Sequence, residues 1–258
     1  MHGSAGHAVF PVLGVPVAAV QIPQVISQIH TWIRNGDGCH YIAVTGMHGV
    51  TEAQHDPTFK RVLGSADLVV PDGMPLVWLA RLKGHSLRRR VYGPELMDAF
   101  CAQRPAQGYR HFLYGGAPGV PEKLAAALRE KHPGLNVVGM LSPPFRSLSC
   151  EEDEYLVAQI NEAHPDVVWV GLSTPKQERW MFDHRDRLNA AVLVGVGAAF
   201  DFGAGLKEQA PPWMREHGLE WLFRLSREPQ RLWRRYLIYG SKFIFWVALE
   251  QLGIRKWE

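Results

Sequence analysis

The chain has 258 residues, of which 47% are hydrophobic and 21% charged. This size and composition indicate one globular domain with an appendage, and they exclude a disordered or fibrous protein. The net charge is +3, but residues 222–258 hold eight basic and three acidic side chains, so this end carries +5 and the rest −2. Such a basic end predicts a polyanionic partner, either a membrane surface, a nucleic acid or a phosphorylated substrate.

Short apolar, β-branched runs alternate with helical patterns over the first 200 residues. Strands are predicted at residues 40–46, 67–73, 110–116, 136–141, 166–172 and 190–197, and helices lie between them, for example at 120–132 and 151–164. This order predicts an α/β fold, with a mostly parallel sheet and helices on both of its faces. The rhythm stops near Asp201 and only helices are predicted after Pro211. The predicted domains are therefore an α/β body over 1–210 and a helical appendage over 211–258.

The cysteines and histidines predict neither disulfides nor a metal site. Cys39, Cys101 and Cys150 lie far apart, and no histidine pair has the spacing of metal ligands. The first residues lack the pattern of a signal peptide, and no uncharged apolar run is long enough to span a bilayer. We therefore expect a reducing, cytoplasmic setting.

Several predicted strands end in glycine or a small polar residue, which predicts a ligand crevice beyond the carboxyl ends of the strands. Asp72 follows one strand in the sequence PDG. There it can serve as a general base, or it can cap the helix predicted to follow. Gly115 and Gly116 end another strand before a helix, an arrangement that suits phosphate binding, although a plain tight turn explains them equally well.

Gly171 and Ser173 end a third strand, and Lys176, Gln177 and Glu178 follow in the first turn of a predicted helix. A donor side chain in that turn can contact a phosphate or a sugar. The alternatives are a solvated surface charge for Lys176 and a favourable contact with the helix dipole for Glu178.

Asp201 lies between two phenylalanines in a loop rich in glycine and alanine. Its carboxylate can accept a hydrogen bond from an N–H group of a nucleotide base, or it can accept hydrogen bonds from the backbone amides of its own loop. His48 also follows a strand, where a single histidine is more often a turn residue than a catalyst.

The last 37 residues combine arginines with aromatic side chains. Arginines recur there at three- and four-residue spacing, which places much of the charge on one helix face. A basic and aromatic helix predicts contact with an anionic membrane surface. A packed helix with a solvated basic face is the alternative, and the apolar run IFWVAL suits lipid better than nucleic acid.

The motifs PDG, RVYGPEL, FLYGG, GLSTPKQE, GVGAAFDFGAG and GLEWLFRLSREPQRLWRRY occur in this order between about Gly14 and Tyr236. Together they resemble the WecG/TagA/CpsF glycosyltransferases. The resemblance implies a Rossmann-like body with a membrane-associating appendage. It also implies transfer of an N-acetylmannosamine-type sugar, or a related hexose, from a UDP-sugar to a sugar on undecaprenyl diphosphate. The reaction would be inverting and metal-independent.

The expected partners are the UDP-sugar donor, the lipid-diphosphate acceptor and an anionic membrane surface, with no cofactor and no nucleic acid. Such an enzyme of cell-envelope polysaccharide synthesis is expected on the inner face of the plasma membrane, as a peripheral protein. The sequence leaves open whether the protein forms a homo-oligomer.

The resemblance also implies roles for individual residues. Asp72 would be the base, Thr45 and Arg90 would lie at the catalytic centre, and Gln177 would face the donor diphosphate. The appendage arginines Arg224, Arg227 and Arg231 would supply positive charge to that diphosphate. Together with the strand ends, the expected donor-binding residues are Gly115, Gly116, Gly171, Ser173, Gln177 and Asp201.

Two positions depart from the family's pattern. Met47 stands where an asparagine is expected, and Gln209 stands where an arginine often precedes Ala-Pro. A polar contact is then absent or supplied by His48, and one cation near the diphosphate is missing. Both departures bear on the identity of the sugar or acceptor more than on the reaction type.

Two other functions compete with this one. A nicotinamide- or other nucleotide-dependent Rossmann enzyme predicts an early GxGxxG motif, which the sequence lacks. A noncatalytic membrane-associated scaffold would not need Asp72 at the end of a strand.

Overall fold

The structure is a computed structural model that describes residues 6–104 and 108–257. The described residues form two compact units. The first comprises Met1–Gln21, Val44–Tyr92 and Gln209–Glu258, and the second comprises Ile22–Ala43 and Gly93–Glu208. The C-terminal helices thus share a unit with the segment that contains Asp72. The predicted domain boundary near residue 210 stays a prediction.

A β-hairpin near the start of the described chain has no counterpart among the predicted strands. Strands β1 (Val9–Val12) and β2 (Val15–Ala18) pair in antiparallel fashion. Leu13 and Gly14 form the two-residue turn, both with positive φ, at 50° and 77°, as the tightest hairpin turns require. Each strand contains a proline, which weakens the strand signal in the sequence.

Six further strands lie within two residues of the predicted runs: β3 (His40–Thr45), β4 (Leu68–Pro71), β5 (Arg110–Gly115), β6 (Asn136–Leu141), β7 (Val167–Gly171) and β8 (Val192–Gly195). They form one sheet in the order β4-β3-β8-β7-β5-β6. Strand β8 pairs in parallel with β3 and β7, and β5 pairs in parallel with β6 and β7. The predicted α/β fold with a mostly parallel sheet is confirmed.

The central strands are unbroken apolar runs because they are covered on both faces. All side chains of β8 are buried. Trp169 on β7 is fully enclosed, and its indole N–H donates a hydrogen bond to Nδ1 of His111 on β5 at 3.1 Å. Large buried side chains at the middle of the sheet leave the strand ends as the places where polar groups can meet a ligand.

Helices lie in the segments between the strands and after β8. In chain order they are α1 (Ile22–Asn35), α2 (Met47–His55), α3 (Pro57–Gly64), α4 (Met74–Leu82), α5 (Gly93–Cys101), α6 (Val120–Lys131), α7 (Cys150–Glu162), α8 (Lys176–His184), α9 (Ala199–Gly203), α10 (Pro212–Glu216), α11 (Glu220–Arg227), α12 (Pro229–Trp233) and α13 (Gly240–Gln251). Helices α6 and α7 lie where the apolar spacing predicts them. Ser149 and Glu152 form a capping box at the start of α7.

The chain is helical after Pro211, as predicted. Pro212 and Pro229 are the first residues of α10 and α12, positions that suit proline because the first N–H of a helix has no partner within it. A π-helix, Arg234–Tyr239, joins α12 to α13. None of the helices in the described residues has the length and apolar character needed to span a bilayer.

The described side chains of the C-terminal segment (residues 211–258) divide into an inner and an outer set. In the inner set, Tyr239 and Trp246 lie against histidines of α2, with the ring centroid of Trp246 5.2 Å from that of His55. Lys242 Nζ donates to His55 Nε2 at 3.1 Å. The outer set includes Leu237, Ile238, Ile244 and Phe245, which are all exposed. Some aromatic residues of this segment therefore pack against α2, and others are exposed.

Candidate active site

Asp72 stands where the sequence predicts it, directly after β4. Its backbone N–H donates to the Thr45 carbonyl at the end of β3 at 2.8 Å. Gly73, with φ of 121°, is the N-cap residue of α4, and no side chain caps that helix. The alternative that Asp72 serves as a helix cap is therefore wrong, and its carboxylate is available for another role.

The surroundings of the Asp72 carboxylate raise its pKa to about 6. Burial is the largest cause, because it disfavours the charged form, and Glu220 acts in the same direction. The cations of Arg90, Arg235 and Arg224 act in the opposite direction. The side chain keeps 32% of its surface exposed, but Oδ1 is enclosed and accepts no hydrogen bond from the described residues. A carboxylate with this pKa can take up a proton near neutral pH.

Arg90 lies between two carboxylates. Its Nη1 is 3.8 Å from Asp72 Oδ1, and its Nη2 donates a hydrogen bond to Glu220. The guanidinium also stacks over the Tyr92 ring, 4.1 Å from its centroid. Burial would lower the pKa of Arg90, but the two carboxylates outweigh burial and raise it. Arg90 is thus a fixed cation beside the candidate base.

Thr45 lies at the end of β3 beside Asp72, and its role at a catalytic centre stays a prediction. It is buried, and Oγ1 has no hydrogen-bond partner among the described residues. The next residue, Gly46, allows the ends of β3 and β4 to meet, because a Cβ atom there would lie 2.4 Å from the Asp72 carbonyl oxygen. The close approach of these two strand ends therefore requires glycine.

The C-terminal arginines divide into two sets by their surroundings, and the expectation that much of their charge shares a helix face stays a prediction. The charges of Arg224 and Arg235 act on Asp72. Arg227 and Arg231 are exposed, and Arg231 is ion-paired with Glu228. The break at the start of α12 and the wider turn of the π-helix change the phase of the segment, so a uniform helical spacing does not hold along it.

Three residues of this cluster were not among the candidates from the sequence: Tyr92, Glu220 and Arg235. Tyr92 is two residues after Arg90, and burial raises the pKa of its phenol, which keeps the hydroxyl protonated. Glu220 is buried although it opens a helix rich in arginine. The only sequence signal for Glu220 and Arg235 is their place in the motif GLEWLFRLSREPQRLWRRY.

His48 and Met47 occupy the first turn of α2. Burial and the nearby Arg235 lower the pKa of His48 to about 3, so the imidazole is neutral at physiological pH and cannot donate a proton as imidazolium. Its ring centroid lies 5.2 Å from that of Tyr239. Met47 approaches the C-terminal segment, since a Cβ atom on Gly240 would lie 3.6 Å from the Met47 Cε. Met47 therefore contributes packing where the family pattern has a polar side chain.

The predicted donor-binding glycines lie in the second unit, and packing accounts for them. Gly115 and Gly116 have φ of 131° and 74°. A Cβ atom on Gly115 would lie 2.6 Å from the Gly171 carbonyl, and one on Gly171 would lie 2.5 Å from the Phe200 ring. The Gly116 N–H donates to the Gly171 carbonyl at 3.0 Å. The strand ends of β5 and β7 thus touch, and a phosphate at these glycines stays a prediction.

The loop after β7 leads into α8 through Ser173, an exposed residue with φ of 65°. The Ser173 carbonyl accepts the Gln177 N–H at 3.0 Å. Gln177 and Glu178 are both buried and bonded to each other. Glu178 lies in the first turn of α8, so its favourable contact with the helix dipole stays a prediction beside its hydrogen bonds.

Asp201 lies in α9, and Lys207 Nζ reaches its Oδ2 at 2.9 Å. The Asp201 backbone carbonyl accepts from the N–H groups of Leu206 and Lys207. The carboxylate is thus ion-paired, and its contact with a nucleotide base stays a prediction. Within the part of the chain that the structure describes, no group of three or more His, Cys, Asp or Glu side chains is arranged to hold a metal ion.

Comparison with known proteins gives one family. The sequence profile described as the glycosyl transferase WecG/TagA/CpsF family matches residues 10–256. This range includes every candidate residue of both units.

Three similar proteins carry the same name, N-acetylglucosaminyldiphosphoundecaprenol N-acetyl-beta-D-mannosaminyltransferase. The protein of Bacillus spizizenii is 31% identical over 186 residues, which cover 72% of this chain and 70% of that protein. That of Bacillus subtilis is 32% identical over 183 residues, 70% of this chain and 69% of the relative. The Staphylococcus aureus protein is 27% identical over 246 residues, covering 95% and 94%.

Proposed function

Because the chain belongs to the WecG/TagA/CpsF family of glycosyltransferases, we propose that it moves an N-acetylmannosamine-type sugar, or a related hexose, from a UDP-sugar to a sugar on a polyprenyl diphosphate. The names of the relatives, which contain a diphosphoundecaprenol and a mannosaminyl group, support this acceptor and this sugar. The observation that carries the proposal is Asp72, whose Oδ1 atom is enclosed and whose pKa is raised, beside the fixed cation of Arg90.

In the proposed reaction Asp72 is the general base. With a pKa of about 6 it is mostly ionised at neutral pH. As the acceptor hydroxyl attacks the anomeric carbon, its proton passes to Asp72 and the new C–O bond forms. The bond between that carbon and the diphosphate oxygen breaks on the opposite side, UDP leaves, and the configuration inverts.

Positive charge near Asp72 supports a diphosphate leaving group. Arg90 is held by Glu220, and the charges of Arg224 and Arg235 act on the same carboxylate. Fixed cations stabilise charge that develops in a transition state without the cost of rearranging solvent. Arg224 is the appendage arginine best supported for this role, because its charge acts on Asp72. The same role for Arg227 and Arg231 stays a prediction from the family resemblance.

We propose that the nucleotide binds at the strand ends of the second unit. The proposed donor-binding residues are Gly115, Gly116, Gly171, Ser173, Gln177 and Asp201. Backbone amides near glycine approach phosphates closely. No cofactor takes part in the proposed reaction.

The acceptor is a lipid, so the protein is proposed to work as a peripheral protein on the inner face of the plasma membrane. The exposed apolar side chains of the C-terminal segment support membrane contact, since Ile244 and Phe245 are 68% and 60% exposed. Basic residues in the same segment favour an anionic surface.

The test is a transfer assay with purified protein. We expect release of UDP, and extension of a short-chain lipid-diphosphate N-acetylglucosamine acceptor, with UDP-N-acetylmannosamine as donor and in the presence of EDTA. UDP-N-acetylglucosamine and UDP-glucose serve as comparison donors, and Asp72→Asn is the inactive control. Failure of every UDP-sugar to react would overturn the proposed transfer, and failure to bind UDP at all would favour a noncatalytic scaffold.

A further inference from the structure

Gln177 and Glu178 form a buried pair in the first turn of α8, with 2% and 0% of their surfaces exposed. Glu178 Oε1 accepts two hydrogen bonds, from Thr174 Oγ1 at 2.8 Å and from Gln177 Nε2 at 3.0 Å. A carboxylate is an acceptor only. The donor end of the Gln177 amide is therefore engaged within the protein.

This pairing fixes the orientation of the Gln177 amide. A flipped amide would place its oxygen where Nε2 now lies, 3.0 Å from Glu178 Oε1, and bring two acceptors together with no hydrogen between them. Gly195 leaves room for the amide in its present position, because a Cβ atom there would lie 2.9 Å from Nε2. The carbonyl end of Gln177 consequently points away from Glu178.

The carbonyl oxygen of Gln177 has no partner of its own. Oε1 is enclosed, and none of the described residues donates a hydrogen bond to it. Gly197 lies next to this oxygen, since a Cβ atom built on it would be 3.4 Å away. Because glycine has no side chain, none is present at this position beside the oxygen. A buried acceptor without a donor is costly in free energy, and a ligand that brings a donor removes this cost.

We infer that Glu178 is a positioning residue, and that it presents the Gln177 carbonyl oxygen to an N–H or O–H group of the nucleotide sugar. The inference rests on the proposed function, in which a UDP-sugar binds to the second unit. The diphosphate of a UDP-sugar carries no proton at neutral pH, so a carbonyl oxygen cannot donate to it or accept from it. Gln177 therefore recognises the base or a sugar, and not the diphosphate that the family resemblance implies.

Three probes distinguish the groups that can donate this hydrogen bond. UMP carries the uracil imide and the ribose hydroxyls, UDP adds only a phosphate, and UDP-N-acetylglucosamine adds the hydroxyls and acetamide of a hexose. The dissociation constant of each probe is measured by calorimetry with the full chain. A loss of affinity already seen with UMP assigns the contact to the nucleoside, and a loss seen only with the UDP-sugar assigns it to the hexose.

Two conservative variants test the positioning role. Gln177→Met removes both ends of the amide at similar volume, and Glu178→Met keeps the volume but removes the acceptor that fixes the orientation of its neighbour. We expect each to weaken binding of the responsive probes by about fivefold to tenfold, the usual effect of one hydrogen bond. The double variant should bind no more weakly than Gln177→Met alone, because Glu178 acts through Gln177.

Thr174→Val is the matched control, because it removes a different hydrogen bond to Glu178 and leaves the Gln177 pair intact. It should change each dissociation constant by less than about twofold. Additive losses in the double variant, or unchanged binding by Glu178→Met, would overturn the positioning role. A loss that appears with UDP but not with UMP would restore the diphosphate contact and also overturn the inference. If the unmodified protein binds none of the probes, the proposed function itself fails.

Discussion

The guanidinium of Arg90 lies 3.8 Å from the Oδ1 atom of Asp72, and it is held there by a hydrogen bond from its other terminal nitrogen to Glu220. The cation favours ionised Asp72, while burial and the charge of Glu220 favour the protonated form. Because the two opposing influences do not cancel, the pKa of Asp72 lies at about 6 rather than near 3.8. The base therefore changes its charge close to the pH at which it works.

The first prediction is a pH profile. If Asp72 is the base, kcat/KM should rise with pH and level off above a pKa of about 6, because this quantity reports the free enzyme. Asp72→Asn should lower turnover by about 10²-fold or more while UDP binding is retained. The assay follows UDP release between about pH 4.5 and about pH 8.5, an interval that extends to both sides of the pKa of Asp72. Turnover of Asp72→Asn within a few fold of the unmodified protein would contradict the role of base.

The second prediction concerns stability. A carboxyl whose pKa is higher in the folded chain than in the unfolded chain binds its proton more tightly when folded. For Asp72 it therefore destabilises the fold increasingly as the pH rises from 3.8 to about 6, and fully above about 6. Asp72→Asn removes this penalty. The variant should be more stable than the unmodified protein above about pH 6, and the difference should disappear as the pH falls through the interval between 6 and 3.8. Urea midpoints at several pH values measure this, and a difference that grows toward acid would refute it.

The third prediction separates Glu220 from other acidic residues of the C-terminal segment. Glu220→Gln removes a negative charge that raises the pKa of Asp72, so the acidic limb of kcat/KM should move to lower pH. Glu216→Gln is the matched control, since Glu216 pairs with Arg89 and both side chains are more than half exposed. The control should leave the limb in place. An equal shift in both variants would indicate a general charge effect instead of a specific one.

The sheet could be predicted because buried parallel strands are continuous apolar runs, and all six lie where those runs are. The hairpin could not, because Pro11 and Pro16 interrupt its two short strands. The placement of Asp72 after β4 also follows from the sequence, since a polar residue after such a run must lie at the edge of the sheet. These features depend only on which residues follow one another along the chain.

The partners of Asp72 could be predicted only in part. Arg90 and Glu220 are 130 positions apart, and a glutamate that opens an arginine-rich helix has the pattern of a solvated charge. Arg235 follows several exposed arginines and lies in the π-helix, and its charge acts on Asp72 while Arg231 is exposed. Long-range pairing and a local change of helix phase leave no periodic signal.

The fourth prediction tests the contact between the ends of β3 and β4. Gly46→Ala would place a methyl group 2.4 Å from the Asp72 carbonyl oxygen, so one strand end must move. We expect a loss of stability of about 1–3 kcal/mol, as for other overpacked sites, and a loss of turnover because Asp72 shifts. Gly64→Ala is the control, since nothing lies within 4 Å of its added methyl group. Equal unfolding midpoints for the two variants would show that the contact is not required.

The last prediction concerns the C-terminal segment and the membrane. Deleting the whole segment is uninformative, because Leu232 and Phe243 belong to the core and Glu220 acts on Asp72. The outer apolar residues allow a cleaner test. The double variant Ile244→Asn and Phe245→Asn should lose binding to phosphatidylglycerol vesicles but keep its turnover on a soluble acceptor, because both side chains are exposed, at 68% and 60%.

Phe145→Asn is the matched control, as this side chain is 80% exposed and lies outside the C-terminal segment. It should sediment with vesicles as the unmodified protein does. Binding of the unmodified protein should weaken as salt rises, since the Debye length falls from about 10 Å at 0.1 M to about 3 Å at 1 M. If the double variant still sediments with the vesicles, these apolar residues are not the membrane contact. If it instead loses turnover on the soluble acceptor, the same side chains support the site around Asp72, because anchoring alone cannot affect a reaction that has no membrane.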